Sequence, residues 1–457
     1  MQLPRLSVLL LSCAALVSPA AQALDLFEVW RAASQHDPEF AAARAAHAAG
    51  LASQDQAGAL WRPNLMLQGG VAAASLDNQT RGAVFSQSTL GTYNDAAFDT
   101  QIDSGTRSHY GVVLRQPLYD RERSAQGRQL RIQADAAELA WVGAQQQLML
   151  RSAEHYFQLA LAARRLELLE RQLEAVERTA READERFKVG SLPVTDLHEA
   201  RARAAGLRAQ HLAAQTELDL RRQTLADLIG RQPGDSPLTL PSDTPAQIGA
   251  LEDWLARAAR QNTQLQLAQT RQQGAEQEVR KTSLPLSPTL ELVASHGREK
   301  LSGDAEVGSA SYSAEQSMVG LQVSVPLYTG GMRSARQDEA RARLAEAEAE
   351  LDHGRLLVAR QTRAAWLALS VGREQAQALA AAAEASQARL AATRIGRKTG
   401  ERSTQDLLDA ENAAAAAELE LAQVRATLFL QELRLAALAG QLDEGFFQQA
   451  SARLAQR

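Results

Sequence analysis

The sequence predicts a mainly α chain with transmembrane β-strands, built twice over on one plan within 457 residues. Three observations predict it. Gly190, Asp196, Leu197 and Ala200 recur at Gly400, Asp406, Leu407 and Ala410, a step of 210 residues, and the same step carries Leu225-Ala226-x-Leu228-x-Gly230 onto Leu435-Ala436-x-Leu438-x-Gly440. Two runs, Arg121 to Lys188 and Met332 to Lys398, contain no proline and far exceed an ordinary helix. Two stretches of period-two alternation end in Gln116-Pro117-Leu118-Tyr119 and Val325-Pro326-Leu327-Tyr328, the mark of strands whose two faces meet different surroundings.

The first 23 residues read as a secretory signal: Arg5, an apolar run from Leu6 to Val17, then Ala21-Gln22-Ala23 as the cleavage site. Cys13 is the only cysteine and falls inside it, too early for a lipid-attachment site, so the mature chain is expected to have no disulfide and no cysteine-ligated metal. Removing Arg5 takes the formal charge from -5 to -6, which points away from nucleic acid as a partner. Aromatic residues make up only 4% while alanine is abundant, a balance suited to long, closely packed helices.

Residues 24–230 form the first repeat. Leu26 to about Trp61 reads as helix, stopped by Pro63, and Asn64 to Ala73 alternates as a strand. The polar stretch from Ala74 to Ser108 reads as a long loop, and a second strand follows from His109 to Tyr119. The 68 residues from Arg121 to Lys188 then make a helix of roughly 100 Å. Its far end carries Leu166, Leu169, Leu173, Val176, Ala180, Ala183 and Phe187 at alternating steps of three and four, a coiled-coil seam. After a turn at Gly190-Ser191-Leu192-Pro193, Leu197, Ala200, Ala204 and Leu207 continue the spacing in an antiparallel return helix.

Residues 231–246, with Pro233, Pro237, Pro241 and Pro245, are a linker. Residues 247–457 repeat the plan: helix from Leu251 to Ser283, strand from Thr289 to Ser295, loop, strand from Ser317 to Leu327, long helix, turn, return helix from Ser403 to Ala439, and a C-terminal equatorial segment. Pro63 and Pro288 lie 225 residues apart whereas Pro117 and Pro326 lie 209 apart, so the first inter-strand loop is longer by 16.

Strands with one apolar face, in an exported chain without apolar helices, suggest a barrel in lipid. Four strands cannot close one, because unpaired backbone edges are untenable in a bilayer. The barrel must therefore be shared. Three copies supply twelve strands and a ring of long helices, so a homotrimer satisfies both geometries; a dimer reaches eight strands, with a narrower lumen.

In His36-Asp37-Pro38, in Val325-Pro326-Leu327-Tyr328-Thr329-Gly330-Gly331-Met332, in Arg186-Phe187-Lys188-Val189-Gly190 with Thr195-Asp196, and in Gly400-Glu401-Arg402 with Asp406-Leu407-Leu408-Asp409-Ala410, the chain resembles the TolC family of outer-membrane channel-tunnels. That resemblance implies a trimeric outer-membrane barrel continuous with a periplasmic helical tunnel in a Gram-negative bacterium. That tunnel docks to a periplasmic adaptor and an inner-membrane ABC or proton-driven exporter, and exports proteins or small toxic molecules. The likeness is nearer the protein-secretion and general branch than the lipid-anchored drug-efflux branch.

The resemblance also implies that helix tips close the tunnel, with Asp196 and Arg402 as partners in a polar gate link. Where the family pattern has an aromatic, three residues before Gly400, this sequence has Arg397, expected to repel its neighbours or to find Glu401. Val189, Gly190, Ser191 and Leu192 at the first turn, and Thr399, Gly400 and Glu401 at the second, are the expected adaptor-contacting tips. Asp406 and Asp409 are three apart and so share a helical face. If that face lines the pore, threefold symmetry makes a ring of six carboxylates that favours cations and polyvalent blockers, although Ser403-x-x-Asp406 also fits a capping box.

Trp61, Tyr119 and Tyr328 lie at strand ends, as an interfacial aromatic belt or as corner packing. The eight histidines show no metal-ligand spacing, and no Gly-x-Ser-x-Gly, phosphate loop or His-Glu-x-x-His occurs, so no cofactor and no enzymatic activity are expected. A periplasmic coiled-coil adaptor or tether is the competing reading. It would use the long hairpins and leave the strand pairs without a purpose.

Overall fold

The computed structural model describes residues 24–89, 91–234, 238–243, 248–283, 287–305 and 308–455. The expected signal segment with Cys13 lies outside them, as do Pro237 and Pro245 of the linker. The element order is α1 (Leu26–His36), α2 (Pro38–Ala59), β1 (Asn64–Gln87), β2 (Gly91–Asp120), α3 (Arg121–Lys188) and α4 (Val194–Ile229). It continues with α5 (Leu251–Gln261), α6 (Thr263–Thr282), β3 (Thr289–Asp304), β4 (Ser309–Ser324), α7 (Met332–Lys398), α8 (Thr404–Leu438) and α9 (Glu444–Ala455). The series α-α-β-β-α-α thus occurs twice, and α9 follows. No helix among the described residues is long and apolar enough to cross a membrane.

The single helix expected before each strand pair is two. The break falls at Asp37 in one case and at Asn262 in the other, with φ/ψ of -63°/120° and -63°/123°. Each residue closes the preceding helix with its own N–H, on Ala33 and Ala258 respectively, and opens the next with its side chain. Asp37 Oδ2 accepts from the Phe40 N–H at 3.1 Å, and Asn262 Oδ1 accepts from the Leu265 N–H at 3.1 Å. These are N-caps, each followed three residues on by the amide it satisfies. The two sites lie 225 residues apart, the same step that relates Pro63 to Pro288.

The chain forms two compact units. One comprises the described residues of Met1–Ala46, Leu139–Gln266 and His353–Arg457; the other comprises His47–Glu138 and Leu267–Asp352. Each unit takes segments from both halves of the chain.

The second unit holds a four-stranded antiparallel meander in the order β1-β2-β3-β4. The strands are much longer than the alternation indicated. Of the span 74–108, read as a loop, residues 74–87 and 91–108 continue β1 and β2 in antiparallel register until Gln87 faces Gly91, with shifts near Ala74 and Ala83. Likewise β3 and β4 pair from Thr289↔Ser324 to Asp304↔Ser309. Polar residues occupy both faces of these outer halves, so period two disappears while backbone pairing persists. β3 meets β2 only up to Ser104, and the first hairpin runs on beyond that as a two-stranded ribbon. Near the proline ends, one face carries exposed Leu65 (68%), Leu67 (80%), Val319 (76%), Leu321 (66%) and Val323 (65%). The other face bears ion pairs such as Arg107–Glu299 at 2.7 Å. Gly111 and Gly297 pair directly there, and a Cβ on Gly111 would stand 2.9 Å from the His296 carbonyl oxygen, so the strands approach more closely than side chains permit.

In the first unit, a core gathers Leu26, Val29 and Trp30 of α1, Leu148, Tyr156 and Phe157 of α3, Leu225 and Ile229 of α4, Leu433 of α8 and Phe447 of α9. Phe157 meets Phe429 edge-on at 5.2 Å. Burying each such side chain contributes roughly 1.5–3 kcal/mol, so this cluster is what fixes α1 and α9 to the long helices. The Tyr156 hydroxyl accepts from the Thr239 N–H at 2.9 Å, and burial raises its pKa. Further along, Leu169, Val176, Ala204 and Leu207 form the expected seam of the α3–α4 hairpin, joined by Leu408 of α8. Phe187, placed last on that seam, is 40% exposed because the helix ends one residue later.

Candidate functional site

Both hairpins of the first unit reverse through the same turn chemistry. After α3, the Gly190 N–H donates to Phe187 O (2.9 Å) and the Ser191 N–H to Arg186 O (2.8 Å). After α7, the Gly400 N–H donates to Arg397 O (3.2 Å) and the Glu401 N–H to Gly396 O (2.9 Å). These bond pairs define Schellman motifs, which need a left-handed residue, and the glycines sit at φ 74° and 84°. The recurrence of Gly190 at Gly400 is therefore a backbone requirement. The expected tip residues lie at these turns: Val189 is 78% exposed, Ser191, Thr399 and Glu401 are exposed, and Leu192 is half-buried.

The surroundings of the two turns differ. Beside the first, Asp184 binds Lys188 (2.9 Å) and Arg201 (2.5 Å), tying α3 to α4, and those hydrogen bonds lower its pKa. Asp196 is exposed and accepts from Thr195 Oγ1 at 3.3 Å. Beside the second, Ser403 and Asp406 form a complete capping box on α8. The Ser403 N–H and hydroxyl hold the Asp406 carboxyl below its ordinary value of 3.8, with Arg402 and Arg389 adding to the effect. The helix N-terminus itself also favours the charged form.

Arg402 is exposed and its stem crosses Gly396, at the rim of a recess of about 470 Å³ lined by Arg389, Thr393, Thr399, Glu401 and Asp406. Among the described residues, no hydrogen bond or ion pair joins Asp196 to Arg402 within the chain. Asp409 is engaged by Arg203 Nη2 at 2.6 Å, across from α4 to α8. Arg397 does not meet Glu401, which lies past the end of α7 and the left-handed Gly400; its Nη2 lies 2.8 Å from Glu182 Oε2 on α3. Both cross-hairpin pairs link residues more than 200 positions apart, 206 for one and 215 for the other. Helical periodicity cannot disclose such partners. Among the described residues, no cluster of three or more His, Cys, Asp or Glu side chains is placed to hold a metal.

The family model described as outer membrane efflux protein matches residues 29–231 and 254–441. The chain is 29% identical over 458 residues to the proteases secretion protein PrtF of Dickeya chrysanthemi, covering 98% of this chain and 95% of that protein. It is 27% identical over 384 residues to the outer membrane protein TolC of Escherichia coli K12, covering 80% and 77%. Among solved structures, the CmeC outer membrane channel of Campylobacter jejuni shares the fold with a TM-score of 0.71 at 16% identity, over 94% of this chain and 89% of that one.

Proposed function

This chain belongs to the outer membrane efflux protein family, and from that premise we propose that it is one subunit of a homotrimeric channel whose helix tips gate export. It is a TolC-family outer-membrane protein with a periplasmic helical tunnel, and a channel component rather than an enzyme. The observation that carries the proposal is the sheet. Four strands with an exposed apolar face and two unpaired edges, on β1 and β4, suit lipid only when copies pair edge to edge. Three copies make twelve strands and bring the hairpin turns into one ring.

On this reading Val189, Gly190, Ser191, Leu192, Thr399, Gly400 and Glu401 meet a periplasmic adaptor, and an inner-membrane ABC or proton-driven exporter supplies the cargo. The end-to-end match to a protease secretion protein favours protein cargo. Asp196 and Arg402, unlinked within one chain, are a gate pair that forms between copies. Asp406 and Asp409 face the pore as a carboxylate ring, with Asp406 carrying the larger share of its field because Arg203 offsets Asp409.

The test is fractionation of the mature protein followed by planar-bilayer recording. Outer-membrane trimers that dissociate on heating and conduct ions are expected. A soluble, non-conducting periplasmic monomer would retire the channel and favour the adaptor or tether.

A further inference from the structure

We propose that the corner between the end of β4 and the start of α7 is a site for the phosphate group of a phospholipid, standing where the first repeat supplies a carboxylate of its own. The lipid source rests on the reading of the sheet as part of a barrel in a bilayer; the phosphate chemistry does not.

The two strand-to-helix corners are copies, 209 residues apart at Pro117 and Pro326, yet they are closed differently. At the first, Asp120 caps α3, its Oδ1 accepting from the Arg123 N–H at 3.0 Å. Arg123 reaches back toward α2, Nη1 donating to Leu60 O at 3.0 Å, and Gln116 Nε2 donates to Trp61 O at 2.8 Å. The same step of 209 carries Gln116, Asp120 and Arg123 onto Val325, Thr329 and Met332, so the second corner lacks all three groups. Gly331 stands at the N-cap of α7 and has no side chain, and no acidic residue occupies the first turn.

A cavity of about 520 Å³ opens there, with Thr329 and Met332 in its wall. Its side chains have the chemistry of an anion site. Lys281, Arg333, Arg336 and Arg343 line it against Glu122, Glu278 and Glu339, four cations to three carboxylates. Lys281 lies 3.3 Å from Glu278 and Arg343 2.6 Å from Glu339, while exposed Arg336 makes no ion pair among the described residues. Ser287, also in the wall, is 8% exposed, and its hydroxyl has no hydrogen-bond partner. A buried hydroxyl left unpaired is costly, and a phosphate oxygen offers it an acceptor. The N-terminus of α7 adds the positive end of its dipole.

The position selects the source of the phosphate. Pro326 and Thr329, both in the cavity wall, flank Leu327 and Tyr328, which are 85% and 88% exposed and continue the apolar face of Val319, Leu321 and Val323. In a bilayer the end of such a face, marked by a tyrosine, is the depth of the headgroups. A lipid phosphodiester there does for α7 what the Asp120 carboxylate does for α3.

The test is native mass spectrometry of detergent-extracted mature protein, stripped of lipid and titrated with dioleoyl-phosphatidylglycerol or with inorganic phosphate. One phosphatidylglycerol held per chain is expected. Thr329→Asp, which supplies the carboxylate of the first corner, should weaken it on the order of tenfold, and Arg336→Gln several-fold. Arg336→Gln stands in if Thr329→Asp lowers the yield. Arg62→Gln, an exposed charge at the first corner, should leave binding unchanged; an equal loss there would show diffuse attraction to surface charge and overturn the site. Retention of inorganic phosphate without phosphatidylglycerol would assign the site to a free anion and overturn the lipid source. Trimers that conduct in bilayers but bind neither would overturn the site and leave the channel standing. A non-conducting monomer that still binds phosphate would retire the channel and the lipid source together.

Discussion

The stem of Arg402 lies across the bare Cα of Gly396: a Cβ at Gly396 would stand 2.8 Å from Arg402 Cγ. The same glycine's carbonyl oxygen accepts from the Glu401 N–H (2.9 Å), the Arg402 N–H (3.2 Å) and Thr399 Oγ1 (3.0 Å). One residue therefore both closes the second turn and seats the proposed gate arginine.

Gly396→Ala should separate local helix stability from gating. Alanine favours the helix by up to about 1 kcal/mol over glycine, while its methyl displaces the Arg402 stem. The expected outcome is a channel of equal or greater thermal stability whose resting conductance rises toward that of Arg402→Ala. Unaltered conductance would show that Arg402 acts independently of its seat.

The capping box gives the second turn a defined pH response. The folded pKa of Asp406 is depressed, so its contribution is fully present above about pH 3.8 and is lost as pH falls through the lower folded value. Protection of the Leu407 and Leu408 amides, relative to their intrinsic exchange at each pH, should therefore fall only in that acid range in the parent chain. In Asp406→Asn the lower protection should be present at neutral pH, and a response centred near neutrality in the parent chain would count against this assignment.

Block by polyvalent cations should distinguish the two aspartates. Asp406→Ala is expected to weaken block by a trivalent cobalt complex more than Asp409→Ala, since Arg203 offsets Asp409 at 2.6 Å. Arg203→Ala should strengthen block in an otherwise intact channel. Equal effects of the two aspartate variants in bilayer recordings would mean that the Arg203 pair does not persist in the assembled pore.

The matched helix breaks predict a stability cost far from any gate. Asn262→Ala removes the cap on the Leu265 N–H and the donor to Leu438 O, 3.0 Å away. The loss should be about 1–2 kcal/mol, seen as a lower thermal midpoint. Asn262→Asp keeps the acceptor and should recover the cap portion only; full recovery would show that the Leu438 bond contributes nothing.

Much of the fold is legible in the sequence. The bounds Arg121–Lys188 and Met332–Lys398 follow from proline-free runs that end at left-handed glycines, and the Leu169–Val176 seam follows from its spacing. The breaks at Asp37 and Asn262 were also written in the sequence, as an N-cap residue before the next helix, and Pro38 marks the first of them. Of the candidate site, Ser403-x-x-Asp406 announced its own cap, because the partners are three residues apart.

The sequence by itself determined the repeated plan, the helix lengths, the two glycine turns and the one-sided apolar strands, since each depends on residues within a few positions of one another. Only the tertiary structure decided how far the strands run past Ala73, that Arg397 binds Glu182, and that Asp409 binds Arg203. Backbone pairing in a polar ribbon leaves no hydrophobic period to read. An ion pair spanning more than 200 residues depends on how two hairpins pack, which no local pattern encodes.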